Sequence, residues 1–237
     1  MNAIINKTEF KIGVTPVVLY GENSDKLFIF VHGQGGNKYE GERFFNVAKQ
    51  FSYQVLAVDL PGHGERTDGE DFVPWKVSIE LKRVFDYAKQ RWAHISLRAT
   101  SIGSYFSLLA LKGEKIEHCL LVSSLLDMEN MICSLMVAAN VSEARLKAEK
   151  QISTEFGQTL SYDYLCFARE NPPEAVCLST RILYATGDTL IPRETVEKFS
   201  SDNGAILTVM QGGEHWLHTK EQVEFMQSWE TAQLKDF

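Results

Sequence analysis

Six polar residues of this 237-residue chain fall just after runs that read as β-strands: His32, Asp59, Ser101, Asp127, Asp188 and His215. Open α/β sheets bind ligands outside the carboxyl ends of their strands, so these six are the first to weigh for chemistry. Their types suit acyl transfer. A serine hydroxyl is a weak nucleophile until a histidine can take its proton, and the histidine in turn needs a carboxylate to fix its tautomer.

Ser101 lies in "RATSIGSYF", between a strand-like "HISL" and an apolar, helix-like "SLLALKG". Ala99 and Gly103 place small residues two positions to either side, as a sharp strand-to-helix turn requires. Larger side chains there would collide as the chain doubles back. Such a turn pushes the hydroxyl out at the sheet edge and leaves the next backbone N–H, that of Ile102, free to receive an oxyanion. Serine also caps helices, and the motif alone leaves nucleophile and cap both open. Ser104 and Ser107 lie within the helix as packing or back-bonding residues.

Asp188, in "GDTLIP", follows the strand "RILYATG". It either orients a histidine or starts a turn before the helix at Pro192. Asp127 is the rival acid, although its place before "MENMICSL" suits a helix cap. His215, in "VMQGGEHWLH", sits in a loop from which an imidazole can swing over the sheet edge, and His218 is a weaker claimant. His94 and His118 precede strands, at the wrong edge. His32 and His63 sit in Gly-rich turns without a carboxylate at metal-ligand spacing, so they are expected to orient loop backbone. No metal or cofactor is expected.

The elements that must position these residues alternate. "TEFKI", "PVVLYG", "KLFIFVHG", "QVLAVDL", "HISLRAT", "HCLLVSS", "RILYATG" and "AILTVM" read as strands. "ERFFNVAKQF", "PWKVSIELKRVFDYAKQRW", "RETVEKFS" and "KEQVEFMQSW" read as helices. That is the pattern of a mostly parallel sheet flanked by helices, an α/β class. Residues 128 to about 173 break the alternation with three helices and no strand between them, an insertion placed to act as a lid. Its Met128, Met131, Leu135, Met136, Phe156, Tyr162, Tyr164 and Phe167 suit an adaptable acyl pocket, although many must simply pack the insertion.

A formal net charge of -7 argues against nucleic acid or an anionic membrane surface as the main partner. The N-terminal "MNAIINKTEFKIG" offers no apolar signal core, and "CLLVSSLL" is too short to cross a bilayer. Four scattered cysteines with no CxxC pair suit a reducing compartment rather than a disulfide frame, so a cytoplasmic protein is expected.

The order Ser101, Asp188, His215, taken with the surrounding motifs, resembles the α/β-hydrolase family over nearly the whole chain. "VHGQGG" looks like its oxyanion loop and "VDLPGHGER" like its strand-and-turn signature. "ATSIG" resembles the nucleophile elbow, "GDTLIP" the acid turn and "GGEHW" the histidine loop. Ala99 departs from the commoner Gly, Thr100 from a frequent His, and Ala185 from a frequent Gly.

The resemblance implies a single α/β-hydrolase domain over 1–237 with a helical cap at about 128–173. It implies a serine hydrolase acting on a carboxylic ester or thioester, with Ser101 as nucleophile, His215 as base and Asp188 as its orienting acid. Gln34 and Ile102 would supply the oxyanion hole. Serine rather than aspartate at 101 disfavours the family's haloalkane dehalogenase and epoxide hydrolase chemistries, which need a carboxylate nucleophile. A ligand-binding receptor with vestigial hydrolysis, an acyltransferase and a C–C bond hydrolase are the competing uses of the same residues. The partner expected is a small-molecule acyl substrate.

Overall fold

A computed structural model describes residues 6–237. The first five residues of the N-terminal segment considered above lie outside the described residues.

β1 (Lys7–Ile12) and β2 (Thr15–Tyr20) form an antiparallel hairpin turning at Gly13. β3 (Lys26–Val31), α1 (Gly41–Ala48), β4 (Tyr53–Val58), α2 (Pro74–Lys89), β5 (His94–Thr100), α3 (Ile102–Ala110) and β6 (Cys119–Val122) follow. The inserted segment holds α4 (Met128–Ala138), α5 (Glu143–Glu149), β7 (Gln151–Ser153), β8 (Thr159–Ser161) and α6 (Tyr162–Glu170). The chain then continues through β9 (Thr180–Ala185), α7 (Arg193–Asn203), β10 (Ile206–Met210) and α8 (Lys220–Lys235).

Eight strands make one sheet in the order β1-β2-β4-β3-β5-β6-β9-β10. β1, β2 and β4 pair antiparallel, and every pairing from β4 onward is parallel. The chain order reverses at β3, whose neighbours are β4 and β5. His32 and Ser101 therefore emerge side by side at such a switch point, where open sheets place their ligands. Leu27 to Val31 are all buried and apolar, as a parallel strand covered on both faces must be.

Two compact units divide the chain: Met1–Leu125 with Glu174–Phe237, and Leu126–Pro173. In the sheet unit, one face carries Phe28, Phe30, Tyr53, Val55 and Ala57 against Phe44 and Phe45 of α1 and Met226, Trp229 and Leu234 of α8. Phe28 meets Phe44 edge to face at 5.0 Å. Full burial of one such ring is worth roughly 2–3 kcal/mol. α2 and α3 pack against each other, with α3 also on β3 and β5.

In the inserted unit Ile132, Met136, Leu146, Leu160 and Leu165 are buried. Arg169 on α6 bonds Glu129 of α4 at 2.7 Å and Glu143 of α5 at 2.7 and 2.9 Å, joining the three helices. The absence of strands expected here is corrected: β7 and β8 form a short antiparallel hairpin, Ile152 opposite Leu160. With three residues and one buried apolar side chain per strand, no alternation is long enough to read. Among the described residues no helix is long and apolar enough to cross a membrane.

Candidate active site

β5 carries the chain to Ser101, where it turns back into α3 with φ 50° and ψ −124°. That conformation is strained for any side-chain-bearing residue and survives only where its surroundings over-determine it. Here they do so through three backbone bonds. The Ser101 N–H donates to Val122 O at 3.0 Å, and Ser101 O accepts from Leu125 N–H at 3.1 Å and Ser104 N–H at 3.0 Å. Ser101 stands at the N-cap position, yet its hydroxyl makes no capping bond. It faces His215 instead, Oγ to Nε2 at 2.8 Å.

His215 Nδ1 lies 2.7 Å from Asp188 Oδ2. An Nδ1–H donated to that carboxylate leaves Nε2 as the acceptor for the serine proton. Both oxygens of Asp188 are engaged, each with different partners. Oδ2 meets the imidazole, while Oδ1 accepts the N–H groups of Leu190 at 2.8 Å and Ile191 at 2.9 Å and so builds the turn. The Asp188 carboxylate is fully shielded from solvent and His215 is 6% exposed, which strengthens their mutual attraction.

The two loops are bolted together behind this pair. Gly187 N–H donates to Gly213 O at 2.8 Å, Thr186 N–H to Met210 O at 2.9 Å, and Gly212 N–H to Thr186 Oγ1 at 2.8 Å. The acid-to-imidazole spacing is therefore set by backbone, not by two free side chains.

Glycine at 103 is demanded by the neighbouring strand. A Cβ there would lie 2.2 Å from the carbonyl oxygen of His32 and 3.0 Å from that of Val31. This revises the expected cause of the small residue: the obstacle is the end of β3 rather than Ala99. A Cβ on Gly33 would in turn sit 3.1 Å from the Ser101 Cβ. The "HGQGG" loop thus runs alongside the serine, with Gln34 exposed in it. Ile102 opens α3, so its N–H has no intrahelical acceptor.

His32 and Asp59 support that loop. His32 is fully buried; Nδ1 lies 2.7 Å from Gly33 O, and Nε2 accepts the Leu60 N–H at 3.1 Å. Burial lowers its pKa to about 4, so the ring stays neutral and serves both loops as donor and acceptor. His63 similarly sets Nδ1 2.7 Å from Pro61 O. The Asp59 carboxylate receives Lys38 N–H at 2.7 Å, Glu65 N–H at 3.1 Å and Lys38 Nζ at 3.2 Å. Burial alone would depress the Lys38 ammonium, but hydrogen bonds to Glu65 and Asp59 outweigh it and raise the pKa. Lys38 carried no motif; a lysine just past a Gly-rich turn reads as a solvated charge.

The remaining candidates go elsewhere. Asp127 caps α4 by accepting the Asn130 N–H at 2.9 Å. His218 is largely exposed, 3.5 Å from Glu214. Among the described residues no cluster of His, Cys, Asp and Glu could hold a metal ion. Trp216, which no motif marked, stands exposed with its ring edge-on to His215 at 5.3 Å between centroids.

A line of hydroxyl, imidazole and carboxylate on a strained strand-to-helix turn, fed by parallel strands, is the arrangement of an α/β-hydrolase fold, and this chain has that fold. No protein-family model and no curated protein matches the sequence. Solved structures do match over almost the full length. Est1E from Butyrivibrio proteoclasticus, with ferulic acid bound, is 18% identical over 97% of this chain and 98% of its own, with a TM-score of 0.74. Alpha/beta hydrolase domain-containing protein 10 from mouse is 13% identical over 99% of both chains, with a TM-score of 0.72. The Pyrococcus furiosus esterase Pf2001 is 18% identical over 98% of this chain and 92% of its own, with a TM-score of 0.69.

Proposed function

We propose that the protein is a serine hydrolase that cleaves a carboxylic ester or thioester through an acyl-enzyme on Ser101. The observation that carries this reading is the continuous line from Ser101 Oγ to His215 Nε2 at 2.8 Å and from His215 Nδ1 to Asp188 at 2.7 Å. Esterases among the similar folds suit it.

His215 takes the hydroxyl proton as Ser101 Oγ attacks the acyl carbon, and the imidazolium formed is held by Asp188. The tetrahedral oxyanion is received by the Ile102 N–H and a donor of the Gln34 segment, each worth on the order of 10²–10³ in rate. His215 then gives its proton to the leaving alcohol or thiol. Water, deprotonated by the same imidazole, attacks the acyl-enzyme; the acyl–Oγ bond breaks, the acid leaves and His215 returns the proton to Ser101 Oγ. No step calls on a metal or cofactor. The Leu126–Pro173 unit is assigned the cap of this enzyme from its insertion between β6 and β9.

Turnover on a panel of esters and thioesters with graded acyl chains tests the reading. Ser101→Ala is expected to lose on the order of 10⁶-fold in kcat if the three residues act as a unit. A variant within tenfold of the parent overturns the mechanism.

A further inference from the structure

Arg98 interrupts the buried run of β5 with a charge that proteins cannot deprotonate. Its side chain is 3% exposed and each of its three nitrogens has a partner. Nε bonds Glu230 Oε1 of α8 at 2.9 Å, Nη1 bonds Thr100 Oγ1 at 2.5 Å and Ala99 O at 3.2 Å, and Nη2 meets Met226 Sδ at 3.3 Å. The rings of Phe30 and Phe44 flank the guanidinium at 5.4 and 5.9 Å. Glu230 is 1% exposed, and among the described residues its second oxygen has no hydrogen-bond partner.

A buried ion pair with one orphaned oxygen is a poor route to stability, because apolar residues of similar volume often serve as well or better. Its location supplies another role. Thr100, which Arg98 grips, directly precedes Ser101, and α8, which carries Glu230, directly follows the loop of His215. Arg98, Thr100 and Glu230 also line a cavity of about 60 Å³ together with His215 and Trp216. The pair thus shares a cavity wall with His215, and Arg98 reaches the residue next to Ser101 while hydrogen-bonding to neither reacting side chain.

We infer that Arg98 and Glu230 are positioning residues that hold the end of β5 against α8 and, through the Thr100 hydroxyl, fix the pose of the Ser101 turn. The inference rests on Ser101 being the nucleophile. It predicts a loss of serine reactivity that does not track stability.

The test is the second-order rate of Ser101 phosphonylation by a fluorophosphonate probe, measured beside the melting temperature. In Arg98→Met/Glu230→Leu the melting temperature should stay within a few degrees of the parent, while labelling slows about tenfold to a hundredfold. Thr100→Val, which keeps the ion pair and loses one half-buried hydroxyl, should melt like the parent and slow by about threefold or more. Thr100→Ser should return the rate to within about twofold. A folded double variant labelled at the parent rate overturns the inference. Should the double variant not fold, parent-rate labelling of Thr100→Val overturns it alone. A parent protein that resists the probe overturns the nucleophile assignment itself, a failure distinct from the other two.

Discussion

Asp188 does two jobs with two oxygens, and a single substitution separates them. Asn at 188 can keep Oδ1 on the Leu190 and Ile191 N–H groups, so the turn should persist. Its amide NH₂ would face His215 Nδ1 and force the tautomer that cannot accept the serine proton. Asp188→Asn is therefore expected to lose about 10⁴-fold in kcat with a nearly unchanged urea midpoint. A loss below tenfold, or a collapse of stability, would contradict this division of labour. At this scale the sequence was generous where the candidate site lies in short motifs: Ser101 and Asp188 follow strands, and His215 follows a Gly-Gly turn. It was mute where function is held by distant charges. An arginine inside the run "HISLRAT" demands a partner, but no spacing says that the partner is Glu230, 132 positions away. The capping question at Ser101 was likewise undecidable locally, since only His215, 114 positions on, shows where the hydroxyl points.

Elements meet at the end of β3, and two consequences can be measured there. Gly103→Ala would press a methyl into the His32 carbonyl, so α3 must shift away from β3. A destabilisation of about 2 kcal/mol or more is expected in urea, with a fall in turnover as Ser101 moves. Unchanged stability would show that this approach is not tight. His32 makes the same junction sensitive to acid. Burial holds its folded pKa near 4, below the ordinary 6.5, so the unfolded chain binds a proton that the fold refuses. The stability contribution is full above pH 6.5 and lost as pH falls toward about 4, in all on the order of 3 kcal/mol. Urea midpoints at several pH values should show His32→Ala with a shallower acid dependence than the parent; equal slopes would refute it. Most elements were legible because consecutive apolar residues mark parallel strands and Pro74 marks a helix start. The β7–β8 hairpin was not, because one inward residue per strand leaves no period. The reason for Gly103 was misread for a related cause: local sequence shows a residue's chain neighbours and not the strand that will lie beside it.

For the whole molecule, the strand order of the sheet brings together residues scattered over more than a hundred positions. The Leu126–Pro173 unit is the part whose contribution to selectivity composition alone suggested, through its methionines and aromatics. If it serves as the cap, Met131→Ala should raise KM for long-chain esters several-fold, by about 1 kcal/mol, while kcat for a short-chain ester stays put. Equal effects across the panel would remove that role. The central claim, an activated serine in a triad, is met most directly by treating the protein with a fluorophosphonate and mapping the adduct by peptide mass spectrometry. One phosphonyl group on Ser101, with adduct formation abolished in Ser101→Ala and strongly slowed in His215→Ala, is the expected result. No adduct, or an adduct formed equally well without His215, would contradict it.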